Sequence, residues 1–505
     1  MGGRYCFPEE TMATPHPSFV GRKQELETLN NLWSEEKSRL MVLYGRRRVG
    51  KSRLLKQWAQ QSGQRVLYWQ AEPDTPEAHL RDFSQVLSSF GSPSFPGPAD
   101  FTYGNWEQAL AQIDLIARQG RVGVFIDEFT FLIASDPSLP GKFQRMWDQT
   151  LETSNVFLCL CGSHLGMMQR EFLSERAPLF GRASASLHLR PLSFGLTGQY
   201  FPRYSAEDRL ALYTVFGGIP FYWDQISQDL SLEENLRQKV FSSSSFLDAE
   251  ARLLLTDYVK ELKNYTGILK AIGQGKNTLA DIAKITGLQA TQLPAYLNIL
   301  ADAGYVKRFE PIIPLAHTTR VGRYYFTDPF LRFYFRFIAG RATQFSMFEA
   351  DQTLAVYHRH MPDFIGTHTW EEVCREWVLR AANRGQIPLY PDDVQSAWST
   401  EVNIDVVGVN PMERHMVLGE CKWTKEPMDV DVLQGLVKKA VLAVPNQDNW
   451  RVYFLGFSKN GFTRAAEEYV RHLAKARPAG AEWQIVGGRL VDLARIDRDL
   501  AAWAV

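Results

Sequence analysis

Eight consecutive residues, Gly45-Arg46-Arg47-Arg48-Val49-Gly50-Lys51-Ser52, fit the spacing G-x-x-x-x-G-K-[ST] at every position. The glycines let a backbone wrap closely around phosphate, with its N–H groups pointing inward at the start of a helix, where the dipole favours an anion. Lys51 would then reach the β- and γ-phosphates of ATP, and Ser52 would ligate Mg²⁺. Arg53 completes the nucleotide-contacting set. Arg46, Arg47 and Arg48 could help hold phosphate, or at least one could face solvent or a neighbouring copy.

The second half of such a site is acid at the end of a buried strand. The apolar run 122–126 leads into Asp127-Glu128. Asp127 would hold Mg²⁺ through water and Glu128 would polarise the attacking water; the bland alternative is a buried strand that merely ends in acid. The run 156–161 leads into Gly162-Ser163, where Ser163 could contact the γ-phosphate or the water, or be a plain turn. Arg182 could be an arginine finger that spreads transition-state charge, or a solvent-exposed arginine.

A different constellation lies near the C-terminus. Asp405 is followed fifteen residues later by Glu420, then by Lys422. If the strands 403–409 and 416–423 form a hairpin around Pro411–Glu413, Asp405 lies about opposite Glu420, with Cβ atoms roughly 4.5–5.5 Å apart. Glu420 and Lys422, two apart on a strand, project from one face. Two carboxylates and an ammonium suit Mg²⁺ or Mn²⁺ and phosphodiester chemistry.

These groups need elements to carry them. Short apolar runs at 40–44, 66–70, 122–126 and 156–161 alternate with helical stretches, the pattern of a parallel sheet covered on both faces. Ser242–Ser245 is a candidate linker. Thr278 can cap a helix Leu279–Thr286 ended by Gly287, with a second helix over about 290–303 and a strand from Val306. That second helix would expose Gln289, Thr291, Gln292, Tyr296 and Asn298, none of them cationic. Phosphate neutralisation would then fall to Lys307, Arg308, Arg320 and Arg323 on the following strands. The rival reading of this segment is a structural or protein-contacting one.

The 505 residues suggest roughly three or four domains. With 45% hydrophobic and 22% charged residues, wholesale disorder and collagen-like sequence are excluded. Lys+Arg and Asp+Glu both total 56, so any basic surface must be local. No apolar stretch approaches about 20 residues, and residues 1–18 lack a secretory pattern. Five scattered cysteines fit a reducing cytoplasm better than a disulfide framework.

Phe19-Val20-Gly21-Arg22 with Glu25-Leu26, the phosphate loop, Ile126-Asp127-Glu128-Phe129, Gly162-Ser163 and Gly217-Gly218-Ile219-Pro220 together resemble the prokaryotic archaeal ATPase family, within the AAA+/STAND branch of P-loop NTPases. The resemblance covers about 18–245. It implies that Val20, Gly21 and Arg22 sit near the adenine, and that the Gly-Gly-x-Pro segment belongs to a helical lid beginning near 191. Ser52 stands where many members have Thr. The segment 246–344 resembles a winged helix with a connector. The stretch Gly419-Glu420-Cys421-Lys422-Trp423 with Asp405 resembles the PD-(D/E)xK nuclease superfamily over about 345–505. That resemblance implies an additional metal carboxylate, Glu371 with Glu372 as alternative, and a following helix carrying Gln434 and Lys438.

The expected architecture is therefore α/β and multidomain. Residues 1–17 form a loose tail. A parallel-sheet P-loop NTPase with its helical lid follows, then a winged helix-turn-helix, then an α/β nuclease-like domain. The expected activity is Mg²⁺-dependent ATP hydrolysis controlling a DNA-binding, DNA-cleaving C-terminal half, with homo-oligomers possible and no membrane partner. The alternative is a STAND-like ATP switch that holds a protein partner on an inactive nuclease-like domain.

Overall fold

The computed structural model describes residues 19–92, 97–98, 100–242, 245–256, 262–312, 322–339, 350–399, 401–446, 449–478 and 480–504. The tail at 1–17, Arg320 and part of the Ser242–Ser245 linker lie outside the described residues. The chain divides into two compact units. One comprises residues up to Leu192 with Ile219–Phe221 and Asp302–Gly304; the other holds the remainder.

The first unit is built on five parallel strands: β1 (Arg39–Tyr44), β2 (Val66–Gln70), β3 (Val122–Asp127), β4 (Val156–Gly162) and β5 (Ala185–His188), in the order β2-β3-β4-β1-β5. β3 and β4 are buried along their whole length. Their continuous apolar sequence is what a strand covered by helices on both faces requires. The helix Lys51–Ser62 buries Leu54, Leu55, Trp58 and Ala59 as one face. The Trp58 indole packs against Phe125 and Phe157 at 5.7 and 5.9 Å between ring centroids, joining helix to sheet. Gly63, with φ of 66°, ends the helix in the left-handed conformation.

Because β4 lies between β1 and β3, the C-terminal ends of the three strands are adjacent. Strands are spaced about 4.8 Å apart, so the loop after β1 and the acids ending β3 sit about 10 Å apart, with Ser163 between them. This order gathers the three motifs despite their separation in sequence.

In the second unit, Thr278 accepts a hydrogen bond from the Asp281 N–H at 3.2 Å and caps the helix Leu279–Thr286. The next helix, Leu293–Asp302, starts later than its sequence suggests, because residues 289–292 form a turn in which the Gln292 N–H donates to the Gln289 carbonyl at 2.9 Å. Two strands follow, β6 (Val306–Phe309) and β7 (Arg323–Phe326), paired antiparallel. A mixed sheet of β8 (Asp393–Trp398), β9 (Asn403–Asn410), β10 (His415–Lys422), β11 (Arg451–Ser458) and β12 (Gln484–Asp492) is ordered β12-β11-β10-β9-β8. β8, β9 and β10 pair antiparallel; β10, β11 and β12 pair parallel.

Residues 193–218 belong to this second unit. Gly195 lies so close to the helix Leu493–Trp503 that a Cβ there would come 2.2 Å from the Leu500 carbonyl oxygen. Arg209, in the helix Ala206–Phe216, is buried and donates to Asp497 Oδ2 at 2.5 Å. Among the described residues no helix is long and apolar enough to cross a membrane.

Candidate functional site

The phosphate loop leaves β1 at Gly45. A Cβ on Gly45 would lie 2.4 Å from the Leu189 carbonyl oxygen, so only glycine fits there. Gly50 has φ of 101°, a conformation open to glycine, and caps the helix that starts at Lys51. Lys51 Nζ donates to the carbonyls of Gly45 and Arg46 at 3.0 and 3.3 Å, curled into its own loop. Val49 is fully buried and anchors the loop. Arg46, Arg47 and Arg48 are half-buried, so none stands freely in solvent, and the Arg48 guanidinium lies 3.9 Å from the centre of the Phe221 ring.

Ser52 Oγ donates to Asp127 Oδ2 at 2.5 Å, and Tyr68 OH donates to the same oxygen at 2.7 Å. Hydroxyl and carboxylate oxygens side by side are the hard donors Mg²⁺ takes, so these residues fit the cation the loop implies. Burial, and then the neighbouring Asp127 carboxylate, raise the Tyr68 pKa far above the usual phenol range, so it remains a hydrogen-bond donor. Glu128 adopts the left-handed conformation, φ of 52°, at the mouth of the sheet. Its Oε2 accepts from Ser163 Oγ at 2.7 Å and from the Ser163 N–H at 3.2 Å. Ser163, at the end of β4, is thereby hydrogen-bonded to Glu128 through both its backbone and its side chain. Burial pushes the Glu128 carboxyl above its usual range against the pull of Lys51.

Arg22, also left-handed, donates to Glu25 Oε1 at 3.0 Å and to the Val49 carbonyl at 3.1 Å. The Val20-Gly21-Arg22 segment is thereby tied to the phosphate loop. Arg182 is not brought to it. It forms a bidentate pair with Asp148, at 2.7 and 2.8 Å, and lines a cleft with Ser38 and Arg39. That is the opposite end of β1, about 20 Å from Gly45 by the rise of a strand, so Arg182 is no finger for its own chain's nucleotide.

At the other constellation, the register Gly419 opposite Val406 places Glu420 opposite Asp405 on β10 and β9. Asp405 Oδ2 accepts from the Cys421 N–H at 2.9 Å. Glu420 is buried; Lys422 Nζ donates to its Oε1 at 3.0 Å and Lys439 Nζ to its Oε2 at 2.7 Å. Burial, then the adjacent Glu420, raise the Asp405 carboxyl. Burial pulls Lys422 down, but Glu420 beside it prevails and holds its ammonium above the usual value.

Glu371 opens the helix Glu371–Ala382, directly after the π-helical turn Ile365–Trp370. Its carboxyl is pushed up to about 8 by burial and then by Asp405. Arg375 Nη1 bridges Glu371 Oε2 and the Asp405 carbonyl at 3.2 and 2.8 Å. Glu372 turns instead to Arg332, pairing with both of its terminal nitrogens. The two neighbouring glutamates thus face different partners, and Glu371 is the one beside Asp405. Among the described residues no group of three or more His, Cys, Asp or Glu side chains is disposed to hold a metal. The carboxylate oxygens of Glu420 are engaged by lysines.

Lys439 was not singled out in the sequence. Gln434 and Lys438 on the same helix, Val430–Ala443, are exposed. Lys439 sits between the buried Leu436 and Ala440, a spacing that marks it as the lysine at the edge of the packed face. Tyr296, read as exposed, is half-buried: its ring lies 5.1 Å from Tyr265 and its hydroxyl accepts from Asn264 at 3.1 Å.

A five-stranded parallel sheet carrying a complete phosphate loop with acids on the next-but-one strand defines a P-loop ATPase. Residues 19–225 match the model of an ATPase domain predominantly from Archaea. Residues 334–434 match a family described as archaeal and bacterial proteins of unknown function. An uncharacterized protein of Methanocaldococcus jannaschii is 28% identical over 442 residues, spanning 86% of this chain and 94% of that one. An uncharacterized ATP-binding protein of the same organism is 58% identical over 40 residues, 8% of this chain and 68% of that one. The Walker-type ATPase of Pyrococcus abyssi shares the fold with a TM-score of 0.50 at 18% identity, over 64% of this chain and 99% of that one.

Proposed function

We propose that this ATPase uses its nucleotide cycle to control a C-terminal half that binds DNA and cleaves it with a divalent cation. The single observation that supports this most strongly is the placement of Asp405 opposite Glu420 with Lys422 two residues on, in a mixed sheet that suits the PD-(D/E)xK resemblance. In the ATPase, Gly45 to Arg53 would wrap the triphosphate, with Lys51 released from the Gly45 and Arg46 carbonyls to meet it. Ser52 and Asp127 would hold Mg²⁺, which neutralises phosphate charge when bound. Glu128, aimed by Ser163, would take the proton of the attacking water.

Control of the C-terminal half is supported by residues 193–218. They lie within the segment that matches the ATPase family, yet they pack with the C-terminal helix through Gly195 and Arg209. In this reading they belong to the helical lid that begins near 191, residues 246–344 carry the winged helix and its connector, and the nucleotide state is passed on to the second site through that packing. At that site Asp405, Glu420 and Glu371 would supply the metal's oxygens once Lys422 and Lys439 yield, and Lys422 would stabilise the charge on the phosphate.

The test is incubation of the protein with Mg²⁺ or Mn²⁺ and DNAs of varied structure, with and without ATP, beside Glu420→Ala. Cleavage lost in that variant while ATP hydrolysis persists is the expected result. A second reading is favoured by the two lysines on Glu420: an ATP switch in which the same fold is catalytically silent and holds a protein partner. Absence of cleavage from both proteins under every condition would select it.

A further inference from the structure

Pairing of β6 with β7 sets Lys307 opposite Tyr325 and Phe309 opposite Arg323. These four share one face of the two-stranded sheet, because side chains two apart on a strand and directly opposed across a pair point the same way. The other face carries Val306, Tyr324 and Phe326, which are buried, and at its edge the exposed Arg308. The second face is thus mostly core, and the first is two aromatic rings interleaved with two cations. Phe309 and Tyr325 meet edge to face at 5.7 Å, Lys307 Nζ lies 5.2 Å from the centre of the Phe309 ring, and the Arg323 guanidinium lies 5.0 Å from that of Trp398 on β8.

That face opens onto a cavity of about 270 Å³. Phe309, Arg323, Tyr325 and Trp398 line it together with Glu371 and Asp405. Ligand cavities usually run from about 300 to 1,000 Å³, so this one suits a single planar group rather than a helix of paired strands. Aromatic faces beside cations are how proteins hold unpaired bases, since every base can stack while arginine and lysine track the phosphates. The helix Leu293–Asp302 and the turn before it expose Gln289, Thr291, Gln292 and Asn298 and offer a duplex backbone no cation.

We propose that the Lys307, Phe309, Arg323 and Tyr325 face, with Trp398, binds single-stranded DNA by stacking an unpaired base in this cavity. Asp405 lines the same cavity, so the sugar-phosphate of a nucleotide whose base is stacked there would pass close to it. This rests on the reading that the C-terminal half engages DNA, and it adds the preferred form of that DNA.

Fluorescence anisotropy of the full chain, in EDTA so that no strand is cut, with labelled oligothymidylate and with a duplex of equal length, tests the proposal. Wild type should bind the single strand more tightly than the duplex. Tyr325→Leu, which keeps apolar bulk but removes the ring, should weaken single-strand binding by about tenfold to a hundredfold, with Tyr325→Phe restoring it. Arg323→Gln is a second variant, which removes a cation and keeps both strand rings, and it should weaken the same complex. Wild type binding duplex as tightly as single strand, failing to bind single strand, or Tyr325→Leu and Arg323→Gln binding it as wild type does would each overturn the proposal. Because binding is read in EDTA, tight single-strand binding can stand while the cleavage reading fails, and loss of that binding in Tyr325→Leu is independent of any cutting.

Discussion

Lys439 Nζ lies 2.7 Å from Glu420 Oε2, while the other oxygen of the same buried carboxylate is held by Lys422 at 3.0 Å. A carboxylate taken from water stays ionised only with such partners. Lys439→Ala should therefore cost about 1–3 kcal/mol in the unfolding transition of the C-terminal unit, because it strips one partner from a buried charge. Adding Glu420→Gln to that variant should cost less than the sum of the two single changes. Urea unfolding of the four proteins measures this, and simple additivity would show that the lysine is only a surface neighbour.

Lys51→Ala should abolish or heavily reduce ATP binding, since the loop loses the ammonium that now rests on the Gly45 and Arg46 carbonyls. Glu128→Gln should still bind ATP but turn it over about 10²–10⁴ times more slowly, the usual contribution of a positioned base. Ser163→Ala should also slow turnover with little change in ATP affinity, because it removes the hydroxyl that helps to aim Glu128. Titration with a fluorescent nucleotide and a phosphate-release assay separate binding from turnover. Wild-type turnover in Glu128→Gln would withdraw the assignment.

Gly45→Ala should damage the site without touching a charged group. Its Cβ would be driven against the Leu189 carbonyl at 2.4 Å and against Val49 Cγ1 at 3.3 Å, so the loop and the chain leaving β5 must separate. Strain of this kind costs about 1–3 kcal/mol, to be seen as weaker nucleotide binding and a lowered melting temperature of the first unit. Undisturbed binding would mean that the loop opens easily there.

Arg182→Ala tests the placement of that residue at the wrong end of β1. The loss of an arginine finger lowers turnover by about 10³–10⁵. With its guanidinium on Asp148, the substitution should instead leave the turnover of dilute protein unchanged and affect only stability. A fall of finger size would require the residue to act on another copy's nucleotide.

Lys307 and Arg308 adjoin in sequence but belong to opposite faces of their strand, and Arg308 pairs with Glu310 at 3.0 Å. Lys307→Glu should flatten the salt dependence of DNA binding by about one unit of slope for each phosphate it ceases to neutralise. Arg308→Glu should change it less. Equal slopes for both variants and wild type would remove this segment from the DNA interface.

Much of the candidate nucleotide site was legible because its parts are local. The loop spacing is complete within eight residues, and the acids follow directly on an apolar run, so Lys51, Ser52, Asp127 and Glu128 needed no tertiary knowledge. Ser163 was visible as the end of a strand, but its bond to Glu128 depends on β4 lying between β1 and β3, an order no local signal encodes. Arg182 misled for the same reason: a Gly-Arg after the third motif says nothing of which end of the sheet it reaches. In the C-terminal half the hairpin register followed from spacing alone and set Asp405 opposite Glu420. Choosing between Glu371 and Glu372 required the turn of a π-helical segment and the position of Arg332. Lys439 approaches from a helix nineteen residues beyond Glu420. The packing of residues 193–218 with the C-terminal helix hangs on Gly195 and on a buried arginine, and neither carries a pattern that a sequence announces.

If nucleotide governs the C-terminal half, ATP must change how tightly that half holds DNA. The affinity of the full chain for labelled DNA would be measured with saturating ATP and without nucleotide, for Glu128→Gln, which should hold ATP unhydrolysed, and for Lys51→Ala. ATP should shift the affinity of Glu128→Gln and leave that of Lys51→Ala unmoved. Identical DNA affinity for Glu128→Gln with and without ATP, once nucleotide binding to that variant has been verified, would contradict it.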